Sequence, residues 1–226
     1  MQNTYLAKRE RLENYFNEVS SDAWDKLTSN EPVSYVRQLV REGREKMQEA
    51  IIEKLPKDLK GTRILDAGCG TGVLSRMLDE RGAEVVGVDI SEKLIEVAKN
   101  RSRSNGNIEY FAGDMKEKSF GNFDYIVAMD SLIHYSPEDV ISSIAEFSKR
   151  ANYSVLFTVI PSTFALRTKL SLGKYFPKSE RSPEVVPIEW GQLRQLEDLK
   201  INACLEKIKR IKSFFYVSEV WELANK

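Results

Sequence analysis

The chain has 226 residues, enough for one α/β unit with a buried core and short for two. Its 34 Lys+Arg and 34 Asp+Glu cancel, so no overall positive charge argues for nucleic acid. The two cysteines, Cys69 and Cys204, show no CxxC and no nearby histidine pair, which argues against a zinc site or a disulfide framework and fits a reducing compartment.

The N-terminus, MQNTYLAKRERLENYF, is charged throughout, and no run approaches transmembrane length. We therefore expect a cytoplasmic chain with at most peripheral membrane contact. Leu12, Tyr15, Phe16 and Val19 fall at helical spacing and predict an amphipathic helix over 8–19. A second helix is expected to start near Pro32, a residue suited to a first turn, and to run through 33–55. Gly43 sits in its middle, where it costs about 1 kcal/mol relative to alanine. Such a glycine implies a kink or a close approach by something else.

From residue 63 the pattern changes. Apolar runs at 63–67, 84–90, 108–114, 123–131 and 154–160 alternate with helical stretches near 72–80, 91–103 and 137–150, and Ser91 reads as an N-cap. This alternation predicts parallel strands with right-handed crossovers, buried on both faces. After residue 160 it stops. Residues 161–188 hold four of the seven prolines and many basic and aromatic residues. A helix near 189–199 and two runs, 204–213 and 214–223, follow; the runs read as an antiparallel hairpin at the sheet edge.

The stretch 64-ILDAGCGTG-72 places Gly68, Gly70 and Gly72 between a strand and a helix. Bare backbone at the carboxyl edge of an open sheet lets a ligand lie on the chain, and the helix N-terminus favours an anionic group. The dinucleotide fingerprint fails, because its last glycine would fall at Val73, and no Gly-Lys-Ser/Thr follows to make a P-loop. Asp66 ends the first strand. Asp89 ends the second, 23 residues on, where a carboxylate can accept both hydroxyls of a ribose. Asp114 ends the third, within reach of an adenine amino group.

The ordered set of DAGCGTG, VDIS and GDM over residues 60–160 resembles the class I S-adenosylmethionine-dependent methyltransferases. The resemblance implies a Rossmann-like, seven-stranded, mostly parallel sheet with a C-terminal antiparallel hairpin and an N-terminal helical lid. It implies that the Gly68–Gly72 loop and Asp66 hold the methionine part of the cofactor. Asp89 would hold the ribose, Ile90 would lie against adenine, and Asp114 and Met115 would hold the adenine edge. Met129 and, from the lid, Tyr15 would complete the cofactor site.

The fourth strand runs into 128-AMDSLIHYSPED-139, which lacks the Asn-Pro-Pro-aromatic pattern of adenine and glutamine N-methyltransferases. His134, the only histidine, lies just past it. An imidazole there can act as base, orient an acceptor oxygen or ligate a metal. Outside the common core, Tyr15 and Phe16 with Trp24, 36-VRQLVREGR-44, 126-IVAMDSLIHY-135, 157-FTVIPST-163, 172-LGKYFPKSERSP-183 and 215-FYVS-218 together resemble the magnesium-protoporphyrin IX O-methyltransferases of chlorophyll and bacteriochlorophyll synthesis. The chain departs from that family at Ile160, where alanine is commoner. It departs again at 25-DKLTS-29, where some members carry a tyrosine-containing arm.

That resemblance implies esterification of a porphyrin propionate, at ring position 13. His134 and Tyr135 would touch substrate, His134 as the catalytic residue, and the magnesium would belong to the substrate, with no protein-held metal. Arg167, Lys174 and Arg181, set among Phe164, Tyr175 and Phe176, would offer cations and aromatic surface to a flat macrocycle. Of the lid pair, Phe16 reads better as simple packing. The family leads one to expect docking to the magnesium chelatase large subunit.

The chain is thus expected to be one methyltransferase domain. It divides into an N-terminal helical cap (1–58), a cofactor-binding core (60–160), a substrate-cap insertion (161–190) and a closing helix with hairpin (191–226). Another small-molecule O-methyltransferase acting on a quinone precursor or catechol, and a non-catalytic porphyrin carrier, are the rival readings.

Overall fold

The apolar runs between residues 63 and 160 become five parallel strands of one sheet: β1 (Arg63–Ala67), β2 (Glu84–Asp89), β3 (Ile108–Ala112), β4 (Phe123–Ala128) and β5 (Ala151–Val159). The computed structural model describes residues 2–19, 21–29, 31–103, 106–162, 184–199, 203–213 and 215–225. Helices α4 (Val73–Asp79), α5 (Glu92–Arg101) and α6 (Pro137–Arg150) follow β1, β2 and β4. Ser91 caps α5 as expected, its hydroxyl accepting the Leu94 N–H at 3.2 Å.

The C-terminal runs form the expected antiparallel hairpin, β6 (Ala203–Lys212) and β7 (Val217–Asn225). Strand β7 pairs with β5 and leaves β6 at the edge, in the order β3-β2-β1-β4-β5-β7-β6. Ile64, Leu65, Val85, Val86, Ile126, Val127, Val155 and Leu156 are buried, and they feed apolar clusters on both faces. The strand order reverses between β1 and β4. Connections there leave in opposite directions and open a crevice at the carboxyl edge.

The N-terminal segment differs from expectation in three ways. Helix α1 spans Gln2–Asn14 and passes into a π-helical turn, Tyr15–Val19, so order begins before residue 8. Tyr5, Arg9 and Leu12 share one helical face and grip the core from there. A further short helix, α2 (Ser21–Leu27), follows. Its seven residues are too few for a periodic signal, and arginines hold it: Arg41 donates to the Lys26 and Leu27 carbonyls, and Arg101 to those of Asp25 and Thr28. Helix α3 (Tyr35–Lys54) is capped by Ser34, not opened by Pro32. Near the C-terminus, the single helix expected over 189–199 is two short ones, Trp190–Leu193 and Gln195–Leu199. Among the described residues no helix is long and apolar enough to cross a membrane.

Gly43 marks a close approach. A Cβ there would stand 2.6 Å from Cδ1 of Tyr216, whose ring lies flush against α3. Gly43→Ala should therefore lower the melting temperature, because overpacking of about 1–3 kcal/mol outweighs the helix-propensity gain of about 1 kcal/mol. In a Tyr216→Ala background the same change should stabilise. Thermal unfolding of the four chains checks both signs.

Candidate active site

The loop after β1 is stapled to β2. Gly68 and Cys69 donate their N–H groups to the Val88 carbonyl at 2.7 and 3.1 Å, and Gly70 donates to Asp89 Oδ2 at 2.9 Å. Asp89 Oδ1 accepts the Ser91 N–H at 2.9 Å, so this one carboxylate fixes both the loop and the start of α5. Burial raises its pKa against those backbone donors. Asp66, buried at the end of β1, accepts the Ser75 hydroxyl at 2.6 Å, and burial pushes its carboxyl up to about 6.

The space beside the three glycines differs. A Cβ on Gly68 would lie 2.2 Å from the Ser131 Cβ, and one on Gly72 would lie 2.3 Å from the Tyr110 hydroxyl. Those two let other parts of the protein come close. Only Gly70, at φ 55°, has open space where its Cβ would be.

Above this loop, between the sheet edge and helices α1–α3, lies a cavity of ≈ 910 Å³ including its mouth. Of the residues singled out from sequence, Asp66, Gly68, Gly70, Asp89, Ile90, Met115, Met129, His134 and Tyr135 line it. Gly72, Asp114 and Tyr15 do not, and Arg167, Lys174 and Arg181 lie outside the described residues.

Asp114 is engaged elsewhere. Its Oδ1 accepts from the Tyr5 hydroxyl at 2.8 Å and from the Lys116 N–H at 2.9 Å, and its Oδ2 accepts from Arg9 at 3.0 Å. The carboxylate thus fastens α1 over the end of β3, and Tyr5 stacks on Tyr135 with ring centroids 4.9 Å apart. In the π-helical turn Phe16 packs on the core as expected and also lines the cavity, while Tyr15 meets it edge-on at 5.4 Å.

His134 ends a 3-10 turn, Leu132–His134, just past β4, and it is buried. Its Nδ1 lies 3.0 Å from the Glu184 carbonyl oxygen. A carbonyl can only accept, so Nδ1 carries the proton and Nε2 keeps its lone pair. Burial lowers the imidazole pKa, which favours this neutral form. The Phe16 ring stands edge-on 6.1 Å away. Glu184 belongs to the returning limb of the 161–190 segment. Val186 N–H bonds to Ile133 O and Ile188 N–H to Ile160 O, at 2.7 and 2.9 Å, anchoring that limb beside the histidine.

Sequence reasoning did not single out Asp130, Ser131, Thr71 or Thr28, and it placed Arg44 and Trp24 only within family-specific stretches. All six line the cavity. Asp130 alone among described non-glycine residues has positive φ, 52°, a conformation costing about 1 kcal/mol or more. It accepts from Arg44 at 2.6 Å and from the Tyr216 hydroxyl at 3.0 and 3.1 Å. Its position directly after a strand at the switch point was the available signal.

Two family profiles match. "Magnesium-protoporphyrin IX methyltransferase C-terminus" covers residues 128–225, and "Methyltransferase domain" covers residues 64–151. The magnesium-protoporphyrin O-methyltransferase of Rhodobacter capsulatus is 44% identical over 98% of this chain and 99% of its own length. The protein of that name from Synechocystis is 27% identical over 87% of each chain. The crystal structure of the Synechocystis magnesium protoporphyrin IX methyltransferase with bound SAH superposes with a TM-score of 0.85, at 25% identity, covering 96% of this chain and 99% of that one. With a glycine-rich loop after β1, acids at the ends of β1 and β2, and 44% identity to a named relative over nearly its whole length, the chain belongs to the magnesium-protoporphyrin O-methyltransferase family.

Proposed function

We propose that this chain transfers a methyl group from S-adenosylmethionine to a propionate carboxylate of magnesium-protoporphyrin IX, giving the monomethyl ester in chlorophyll or bacteriochlorophyll synthesis. The observation that carries the reading is a single cavity joining the Gly68–Gly70 loop, Asp66 and Asp89 to a buried neutral histidine and an aromatic wall of Tyr5, Phe16, Trp24 and Tyr135. The open space over Gly70 and the acids fit a cationic cofactor with a ribose. S-adenosylmethionine supplies an electrophilic methyl on a sulfonium. In this reading Asp66 and the Gly68–Gly70 loop face its methionine part, Asp89 its ribose, and Ile90, Gly113 and Met115 its adenine. Met129 would border the methyl.

A propionate is ionised near pH 7, so the residues need only exclude water and align an oxygen. That removes the need for a general base, which a phenol acceptor would require. His134, with its lone pair at Nε2, cannot donate to a carboxylate from that atom. Its free lone pair would let it ligate the magnesium that the substrate carries, and Tyr5, Phe16 and Tyr135 suit the macrocycle face. Arg167, Lys174 and Arg181 are proposed to meet the second propionate. The division into cap, core, insertion and closing hairpin, a cytoplasmic location with peripheral membrane contact, and docking to the magnesium chelatase large subunit extend the same proposal.

Purified protein with S-adenosylmethionine and magnesium-protoporphyrin IX should yield the monomethyl ester by mass spectrometry, with little product from a catechol. Cofactor binding without ester would sink the substrate assignment. Cofactor affinity should be full above pH 6 and fall as pH drops through about 6, because a cationic ligand favours the ionised Asp66 whose free carboxyl titrates there. Calorimetric titration across pH 5–8 checks this, and Asp66→Asn should flatten that part of the profile. His134→Ala should lower kcat/KM for the magnesium porphyrin about tenfold or more, while wild-type kcat stays nearly flat from pH 6 to 9. A kcat rising with one ionisation would instead make His134 a general base.

A further inference from the structure

Arg44 is the one permanently charged cation among the described residues lining the cavity, and it shares the space with Asp66, Asp89 and Asp130. Its Nη1 donates to Asp130 Oδ2 at 2.6 Å, and the Trp24 ring centroid lies 4.8 Å from its central carbon. Arginine–carboxylate pairs are frequently bidentate, with two N–H groups on the two oxygens. This one is held by a single nitrogen. Among the described residues, its other N–H groups meet no protein acceptor. Trp24 covers a face of the guanidinium and leaves the in-plane donors open.

Asp130 does not depend on Arg44 alone. Both its oxygens lie within 3.1 Å of the Tyr216 hydroxyl, and the Thr158 hydroxyl is 3.2 Å from Oδ1. Tyr216 reaches this point from the β6–β7 turn by lying against Gly43, the residue next to Arg44. Helix α3, the end of β4 and the C-terminal hairpin thus converge on one guanidinium at the cavity wall.

We propose that Arg44 is the carboxylate-reading residue of this cavity and that Asp130 and Tyr216 position it. The inference rests on the reading above, in which two ligands carry a carboxylate: the amino-acid end of the cofactor and a propionate of the acceptor. Both present the same planar anion to the same fork.

The test compares wild type, Arg44→Met, Arg44→Lys and Tyr216→Phe by calorimetry with S-adenosylhomocysteine and with S-adenosyl-3-thiopropylamine, the same thioether without the carboxylate. Steady-state KM for magnesium-protoporphyrin IX is measured in parallel. If the cofactor is the source, Arg44→Met weakens S-adenosylhomocysteine about tenfold or more and leaves the amine analogue unchanged. If the acceptor is the source, both thioethers bind as in wild type and the porphyrin KM rises by a similar factor. Arg44→Lys keeps a cation beside Asp130 and should show the same pattern at smaller size, which covers the case of an unfolded methionine variant. Tyr216→Phe keeps the ring on Gly43 and should reproduce the selective loss in weaker form.

Equal loss for both thioethers, or no change in either affinity or KM, overturns the proposal. An unaffected Tyr216→Phe overturns the positioning role. Wild type that binds neither thioether sinks the functional reading itself, and this inference with it, whereas normal wild-type binding that is indifferent to Arg44 sinks only the inference.

Discussion

The site depends on how closely the chain after β4 can approach the loop after β1. Ser131 lies where a Gly68 side chain would be, and its hydroxyl donates to the Ala67 carbonyl at 2.7 Å. That contact draws the two loops together at the switch point of the sheet. Met129, Asp130 and Ser131 then stand opposite Gly68–Thr71 as facing walls of one cavity. A larger residue at 68 would force the walls apart, because a side-chain carbon 2.2 Å from another has no rotamer of escape.

Helix α2, over this crevice, is held largely by polar ties. Arg41 collects the carbonyls of Lys26, Leu27 and Glu31, Arg101 those of Asp25 and Thr28, and the Thr71 hydroxyl donates to Thr28. All but the Glu31 carbonyl lie at the end of a helix too short to satisfy them internally. Each such bond nets about 1 kcal/mol in water-accessible surroundings. By contrast α3 is anchored by Met47, Ala50 and Ile51 in the second apolar cluster.

Charge inside the cavity is unevenly distributed. Three carboxylates stand against one guanidinium among the described residues. Each acid is answered locally: Asp66 by a serine hydroxyl, Asp89 by two backbone N–H groups, Asp130 by Arg44 with two hydroxyls. Removing one partner of a buried pair such as Arg44–Asp130 typically costs about 3–5 kcal/mol. The remaining negative field suits a cationic ligand, which matches the proposed cofactor. An anionic acceptor would be drawn there by the opposite charge carried on that cofactor.

Much of this architecture is local and was legible in the sequence. Strands, crossover helices, the Ser91 cap and the final hairpin follow from periodicity and short-range chemistry, and so do the acids at the ends of β1 and β2. Each depends on neighbours within a few residues. What tertiary structure alone decided joins residues far apart. Arg44 and Tyr216 each meet Asp130 across 86 positions, and Tyr5 takes the Asp114 carboxylate across 109. No pattern in the chain specifies such a pairing. It was decided likewise that Phe16 lines the cavity while Tyr15 does not, that Ser131 and Tyr110 close on Gly68 and Gly72, and that His134 keeps its proton on Nδ1. A residue's type limits the bonds it can make, but only the fold brings the partner that selects one.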